Sequence, residues 1–180
     1  MVEQLVERIR QKDQRAMTEL YQQYVEELSS VCYRYVPQEN DAKDVLQNSF
    51  VKIFTSIESL EYRGEASFKG WMKKVVANEA LCYLKNRKKL LLVEQDAANI
   101  QTEFEEEPEP ERISPDNLHQ LIMELPDGYR TVLNLFVFEG YSHRQIAELL
   151  GISEATSASQ LFYAKRLLAK KIKDVTRRKG

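Results

Sequence analysis

Residues 141–160 read YSHRQIAELLGISEATSASQ, two short helical patterns joined at Gly151. Ser142 and Gln145 have the spacing of a capping box, which would start the first helix, and Gly151 supplies the tight turn that ends it. Ser153 can then cap the second helix. Two short helices joined by such a turn form a helix-turn-helix, which places its second helix in the major groove of DNA. The stretch therefore predicts a helical fold built around a DNA-reading motif.

The second helix of this motif has one face for the core and one for the DNA. Its core-facing positions are predicted to be Ala155, Leu161, Ala164 and Leu168. On the outer face, neutral groups can read base edges while cations hold phosphates, and Gln160 can make two hydrogen bonds with adenine. A helical hairpin that binds protein is the alternative. The candidate DNA-binding residues of this helix are Thr156, Ser157, Ala158, Ser159, Gln160, Tyr163, Lys165 and Arg166.

The composition of the 180 residues favours a helical protein, with 43% apolar residues, six Gly and five Pro. Apolar runs stay shorter than about 18 residues, and the opening segment MVEQLVERIRQKD is charged and helical in pattern. We therefore expect no signal peptide, no membrane insertion and a cytoplasmic location. Cys32 and Cys82 lie in apolar helical patterns without a CxxC motif or a Cys/His cluster, so we expect both to be packing residues.

A net charge of −2 hides a segregated pattern along the chain. Eight basic residues against two acidic ones give residues 62–93 a net charge of +6. Residues 94–116 hold nine acidic residues and one basic residue, a net charge of −8, and the chain turns basic again after Gln160. Two basic blocks suggest two contacts with a polyanion, since clustered Lys and Arg neutralise phosphates. Solvated helix faces and a basic tail are the alternative that charge alone leaves open.

Helical periodicity and its breaks divide the chain into two small domains. Pro37 ends one helix, Gly64 marks a loop, and the segment FEEEPEPE at 104–111 lacks both periodicity and core residues. We expect an all-α fold with a four-helix domain over 1–93, an acidic flexible linker over 94–116 and a helix-turn-helix domain over 117–180. The predicted helices are 1–10, 13–35, 41–57, 67–89, 117–124, 129–138, 142–150 and 153–174.

Aromatic and basic residues interleave over 62–74, before and inside the long helix of the first domain. Single-stranded DNA is held by such a pattern, because rings stack on unpaired bases while cations follow the backbone. Phe68 and Trp71 are better explained as core residues of the helix, so Tyr62 in the loop is the better stacking candidate. The pattern indicates a second DNA contact, of a different kind from the first.

Catalytic constellations are hard to find in this sequence. His119 and His143 are the two histidines, and His143 sits in the capping box, where a polar surface residue is expected. Asp41 and Asp44 could imitate an acidic metal pair, but their position at a helix start is explained by the helix dipole. The sequence contains no phosphate-cradling glycine loop. We expect neither enzymatic activity nor a cofactor or metal.

Three segments, in this order, resemble one family. DAKDVLQNSFVKIF at 41–54, YRGEASFKGWMKKVVANEALCYLKNRKK at 62–89 and LPDGYRTVLNLFVFEGYSHRQIAELLGISEAT at 125–156 resemble conserved segments of bacterial sigma factors of the extracytoplasmic-function type. The resemblance spans nearly the whole chain. It implies a promoter-specificity subunit that binds core RNA polymerase, with the first segment docking on the polymerase clamp helices, the second melting the downstream promoter element and the third binding the upstream element.

The resemblance also implies roles for particular residues. The implied polymerase-binding residues are Asp41, Asp44, Gln47, Asn48, Phe50 and Lys52. The implied downstream-element residues, around a pocket for a flipped base, are Tyr62, Arg63, Phe68, Lys69, Lys73, Lys74, Asn78, Arg87 and Lys88. The linker is expected to run through the polymerase cleft, the alternative being a plain tether. Further expected partners are promoter DNA, both duplex and single-stranded, and an anti-sigma factor or other regulatory protein.

The chain departs from the family pattern at two positions of the second helix of the helix-turn-helix. A basic residue is usual where this chain has Ala158, and an apolar one is common where it has Ser157. Upstream-element affinity is then expected either to be weaker or to rest on Lys165 and Arg166. The second hypothesis, from a different class, is an autonomous helix-turn-helix regulator that binds duplex DNA without polymerase.

Overall fold

The computed structural model describes residues 1–87 and 113–177, and every secondary-structure element within those ranges is a helix. The predicted all-α fold is confirmed. Most of the predicted linker, together with Lys88, lies outside the described residues. The helices are α1 (Val2–Arg10), α2 (Gln14–Tyr35), α3 (Glu39–Ser56), α4 (Glu65–Asn86), α5 (Pro115–Met123), α6 (Asp127–Leu133), a π-helical segment (Asn134–Phe138), α7 (His143–Leu150) and α8 (Glu154–Arg177).

The chain divides into two compact units, Met1–Tyr83 and Leu84–Gly180, which we call the first and the second unit. In the first unit, α2 packs against both α1 and α3. Asp13 caps α2 by accepting hydrogen bonds from the backbone N–H groups of Arg15 and Ala16. The predicted apolar stripe of α2 is fully buried, and it consists of Ala16, Leu20, Tyr24, Leu28, Val31 and Tyr35.

In the second unit, α8 packs against α5, α6 and α7. The turn between α5 and α6 is held by Arg130, which is only 2% exposed. Its guanidinium donates hydrogen bonds to the carbonyl oxygens of Met123 at 3.2 Å and Leu125 at 2.6 Å, and to the carboxylate of Asp127. Burial lowers the pKa of Arg130, although the neighbouring Asp127 opposes that shift. This arginine satisfies the carbonyl oxygens that the end of α5 leaves without helical partners.

The helix predicted over 129–138 is different in detail. It begins earlier, after the N-cap Pro126, and its last turn widens into the π-helical segment. The backbone N–H of Glu139 bonds to the carbonyl oxygen of Asn134 at 3.1 Å, and Gly140 then reverses the chain with a φ of 71°. Val137 and Phe138 at the end of the segment are exposed. The predicted stop at Gly140 is confirmed, whereas the π-helical segment has no signal in the sequence that we can identify.

Candidate nucleic-acid interface

The helix-turn-helix forms as its sequence predicts. Ser142 Oγ accepts from the backbone N–H of Gln145, and the Gln145 side chain accepts from the backbone N–H of Ser142, which completes the capping box. Gly151 ends α7 in the left-handed region, at φ 70° and ψ 36°. Ser153 Oγ then accepts from the backbone N–H of Thr156 at 2.9 Å and so caps α8. The turn and both caps are local features, which explains why the sequence predicts them.

The buried face of α8 is rotated from the predicted one. Ser157 is 0% exposed and Gln160 is 8% exposed, and both lie beside the buried Leu161. Ala155, predicted to be a core residue, is exposed instead. The expectation that Gln160 faces outward is therefore wrong, and Ser157 does not present its hydroxyl to a ligand in this structure. Positions 157, 160, 161 and 164 have the spacing of one buried helical face. Because two of these residues are polar, a prediction from apolar residues alone misplaces the buried face of α8.

The outward face of α8 carries one large residue that sequence reasoning missed. Phe162 is 53% exposed, on the same face as the exposed Ala158 and Ser159. The guanidinium of Arg166 lies over the Phe162 ring, with its Cζ 5.3 Å from the ring centroid. The helical spacing that places Ala164 and Leu161 inward also places Phe162 outward, so the signal was present in the sequence. This face offers small, apolar and cationic groups, which suit base edges and phosphates.

Three of the other candidate residues of α8 lie at the edge of this face. Thr156 and Tyr163 are half-buried, and the Tyr163 ring stacks at 6.3 Å on that of the buried Tyr129. Lys165 is exposed, and its Nζ lies 6.0 Å from the centroid of the Phe136 ring. These residues flank the outward face without occupying its centre.

His143, expected to be an ordinary surface residue, is half-buried in a cluster with groups from two other elements. Its ring stacks on that of Phe136, with centroids 4.7 Å apart and planes 22° from parallel. Its Nδ1 lies 3.0 Å from Ser157 Oγ, within hydrogen-bond distance. Through these two contacts, the first turn of α7 is joined to the π-helical segment and to the first turns of α8.

In the first unit, the loop before α4 brings three aromatic rings together. The Tyr62 and Trp71 rings lie 6.1 Å and 5.7 Å from that of Phe68. Phe68 is 2% exposed, so it is a core residue, as its place in the pattern of the long helix predicts, and its ring is not presented to DNA in this structure. Tyr62 and Trp71 are partly exposed. Tyr62 therefore keeps an accessible ring supported from beneath by Phe68, while Gly64 at φ 101° turns the loop into α4.

The cations predicted to follow the downstream element differ in their surroundings. Lys73 Nζ lies 2.7 Å from Glu27 Oε1, and Lys69 Nζ lies 3.0 Å from Glu65 Oε1. The hydrogen bond from Lys73 lowers the pKa of Glu27. Arg63 pairs with the exposed Glu61 at 2.6 Å. The predicted residues Lys74, Asn78 and Arg87 are exposed.

The predicted polymerase-binding residues of α3 form a polar surface with one exception. Asp44, Gln47, Asn48 and Lys52 are exposed, and Asp41 is partly exposed. Phe50, which belongs to the same predicted set, is 3% exposed and packs within the unit. Beside this surface lies a groove of about 440 Å³, lined by Tyr21, Lys43, Leu46, Gln47, Phe50, Val51 and Phe54. The Lys52 ammonium pairs with Glu79.

The two cysteines differ, contrary to expectation. Cys32 is buried, and burial raises its pKa to about 12, which keeps the thiol protonated and inert. Cys82 is exposed, so its prediction as a packing residue is wrong. Within residues 1–87 and 113–177, no group of three His, Cys, Asp or Glu side chains could hold a metal ion. No helix in these ranges is long and apolar enough to cross a membrane.

Sequence models of two regions of one family match the chain. Sigma-70 region 2 matches residues 20–90, and sigma-70 region 4 matches residues 116–168. The chain is 32% identical to the ECF RNA polymerase sigma-E factor of Haemophilus influenzae, covering 93% of both chains. It is 28% identical to the RNA polymerase sigma-H factor of Pseudomonas aeruginosa, covering 97% of this chain and 95% of the relative.

A solved structure of the sigma factor RpoE in complex with the anti-sigma factor NepR from Bartonella quintana has a similar fold. Its TM-score is 0.50 at 18% identity, over 87% of this chain and 96% of that one. Together with the relatives, the capped helix-turn-helix and the helical first unit define a promoter-recognition subunit. The chain belongs to the extracytoplasmic-function group of the sigma-70 family. It is a sigma factor, which acts with core RNA polymerase on promoter DNA in transcription initiation, and the first of the two hypotheses is the one supported.

Proposed function

We propose that the two units divide promoter recognition, the second holding the upstream element as duplex and the first opening the downstream element. The outward face of α8 supplies the duplex contact through Thr156, Ala158, Ser159 and Phe162. Lys165 and Arg166, which flank this face, then hold phosphates. Ser157 and Gln160 leave the proposed set because their side chains are buried.

The opening step is assigned to the first unit because of Tyr62. Its partly exposed ring rests against the buried Phe68, at a centroid distance of 6.1 Å, and so offers a supported surface for an unstacked base. Extruding a base costs a few kcal/mol, and stacking on an aromatic ring contributes about 1–3 kcal/mol against that cost. Lys74 and Asn78 of this unit are exposed on α4 and can contact the strand backbone, and Arg87, just beyond the end of α4, is exposed as well. Lys69 and Lys73 would reach phosphates by exchanging their present carboxylate partners.

The polar surface of α3 is proposed as the docking site for core polymerase. Gln47 and Asn48 are exposed at its centre, and Asp44 and Lys52 place opposite charges one turn to either side. The buried Phe50 supports this surface from within the unit. Exposed amides and charges of both signs suit a polar protein interface that can form and later dissociate.

The remaining parts of the proposal concern regulation and location. The acidic segment 94–116, with its net charge of −8, is proposed to run through the polymerase cleft, where its carboxylates imitate nascent RNA. Because the similar RpoE structure is a complex with an anti-sigma factor, we propose a regulatory protein of that kind for this chain. The protein would act in the cytoplasm with polymerase, and without catalysis of its own.

The proposal rests on the presence of two features in a single chain, a capped helix-turn-helix in the second unit and a supported aromatic ring in the first. Its test is reconstitution with core polymerase, followed by run-off transcription from promoters selected by the holoenzyme. The wild type should co-elute with core polymerase and give promoter-dependent transcripts. Asn48→Arg on α3 should lose co-elution, whereas Gln22→Arg on the exposed face of α2 should keep it. Failure of the wild type either to co-elute or to support transcripts would refute the proposal.

A further inference from the structure

One polar contact ties the DNA-reading helix to the helix before it. His143 Nδ1 and Ser157 Oγ lie 3.0 Å apart, and Ser157 is 0% exposed. A buried hydroxyl is costly unless it has a partner, so this contact favours the one rotation of α8 that keeps Ser157 beside the imidazole. Ala158 and Ser159, which follow directly in the chain, are exposed. Whatever fixes Ser157 therefore also fixes how its two neighbours are presented.

The His143 imidazole also makes a second contact, to an element other than α8. Its ring stacks on Phe136 of the π-helical segment, at a centroid distance of 4.7 Å. The same Phe136 ring lies 6.0 Å from the Nζ of Lys165 on α8. His143 thus contacts both the π-helical segment and α8. The Phe136 ring on which it stacks also lies near Lys165, a cation proposed to hold phosphate.

We propose that His143 is a positioning residue for upstream-element recognition, acting through its hydrogen bond to Ser157 and its stack on Phe136. It touches no DNA in this role. Its effect is to set the orientation of the first turns of α8, and so to determine discrimination between matched and unmatched DNA sequences. This inference rests on the proposed function of the second unit as the reader of duplex DNA.

The charged groups near His143 do not account for its contact with Ser157. On α7, Arg144 follows His143 but pairs with Glu148 at 3.3 Å, and both side chains are exposed. Lys165 faces the Phe136 ring from α8. The contact between His143 and Ser157 is a bond between two uncharged partners when the imidazole is neutral, so the proposal depends on hydrogen-bond geometry and not on a change of charge.

The test uses the full-length protein reconstituted with core polymerase. Duplexes selected from a random pool by the wild-type holoenzyme serve as matched DNA, and scrambled duplexes of the same composition serve as unmatched DNA. His143→Phe keeps the aromatic stack and removes the hydrogen bond. It should weaken binding of matched duplex by about fivefold, the worth of one hydrogen bond, and leave scrambled duplex unchanged. The dependence of binding on salt should not change, because no phosphate contact is lost.

Further variants separate positioning from folding. Ser157→Ala removes the other partner and should give a loss of similar size, and it also keeps a good helix former at this position. The double variant should lose no more than either single one, because both remove the same bond. His143→Asn, which keeps a polar atom near the position of Nδ1 but loses the stack on Phe136, should recover part of the discrimination. His119→Phe in α5 is the matched control and should behave as wild type.

Two results would overturn the inference. The first is unchanged discrimination in both His143→Phe and Ser157→Ala. The second is an equal loss on matched and scrambled duplexes, accompanied by a lower melting temperature, which would assign His143 a purely structural role. A wild-type holoenzyme that selects no duplex at all would instead refute the proposed function, so the two failures are distinguishable.

Discussion

Two cations, one in each unit, are held by different kinds of neighbour. On α4, Lys73 Nζ pairs with the Glu27 carboxylate at 2.7 Å. On α8, Lys165 Nζ lies over the Phe136 ring, 6.0 Å from its centroid. A carboxylate neutralises its cation, whereas a ring orients the cation and leaves its charge in place.

This difference suggests that the two DNA contacts are made in sequence. Lys165 in the second unit can attract a phosphate as it stands, because the aromatic ring leaves its charge in place. Lys73 in the first unit must exchange Glu27 for a phosphate before it contributes. We therefore expect duplex binding by the second unit to come first, and strand capture by the first unit to follow once the DNA competes with its carboxylates.

The largest expected effect is a loss of stability that is confined to the second unit. Arg130→Ala leaves two carbonyl oxygens and the Asp127 carboxylate without their buried partner, and should destabilise the second unit by about 3 kcal/mol. Unfolding in urea should be followed by circular dichroism and by fluorescence of Trp71, the single tryptophan, which lies in the first unit. The dichroism transition should move to lower urea while the Trp71 transition stays in place.

The control for that experiment is Arg144→Ala, which breaks an exposed pair with Glu148. It should cost less than about 0.5 kcal/mol, as exposed helix pairs do. An equal shift of the Trp71 transition in Arg130→Ala would show that the two units do not unfold separately.

The next prediction tests the comparison of cations directly. Lys165→Gln should reduce the slope of log affinity against log salt by about one for the full-length holoenzyme on duplex promoter DNA. Lys73→Gln should change that slope less, because Glu27 already neutralises Lys73 in the free protein. Equal slope changes for the two variants would contradict the distinction drawn between the units.

A smaller gain is expected from Ala158→Lys. Ala158 is exposed on the outward face of α8, and a lysine there adds one cation beside the duplex. Binding of the upstream element should tighten by roughly threefold at low salt, and the salt slope should steepen by about one. No change in either quantity would mean that this side of α8 does not face DNA.

The smallest effect concerns Glu27. Its pKa is lowered by the hydrogen bond from Lys73, so the pair stabilises the fold fully above the ordinary pKa of 4.5, and this contribution is lost as pH falls through the lowered folded value. Since the pair is largely solvent-exposed, Glu27→Gln should cost less than about 0.5 kcal/mol at neutral pH and nothing in strong acid. Urea unfolding of the wild type and of Glu27→Gln, measured between about pH 3 and pH 7, checks this because that range spans the titration of carboxylates.

Glu26→Gln provides the matched control, because it removes the same charge one residue away on α2. Glu27→Gln should also strengthen binding of single-stranded promoter DNA, by freeing Lys73, more than Glu26→Gln does. A pH-independent loss of stability would argue that the ion pair has no role.

The local signals in the sequence predicted the helices well because most helix ends here are set by a few nearby residues. Ser142, Gln145 and Gly151 define α7 by hydrogen bonds and backbone conformation within a few positions of each other. The start of α5 at Pro115, two residues before the predicted Asn117, is also local, because Ser114 caps it by accepting a hydrogen bond from the backbone N–H of Asn117.

Side-chain placement was harder, because packing decides it and polarity does not. Ser157 and Gln160 were predicted to face DNA since they are polar, but they lie in the same helical stripe as Leu161. The resemblance included Phe68 and Phe50 in the two contact sets, and the tertiary structure buries both side chains. The contact of His143 with Phe136 and Ser157 joins three elements, so no local pattern could have revealed it.

The division of labour between the units is tested most directly by permanganate footprinting of promoter DNA bound by the Tyr62→Ala holoenzyme. Removing a stacking ring should reduce downstream opening by at least about fivefold, while Tyr62→Phe, which keeps the ring, should open normally. Protection of the upstream element, measured on the same DNA, should stay at the wild-type level. A parallel loss of opening and upstream protection in Tyr62→Ala would contradict the account, because Tyr62 would then serve both contacts or neither.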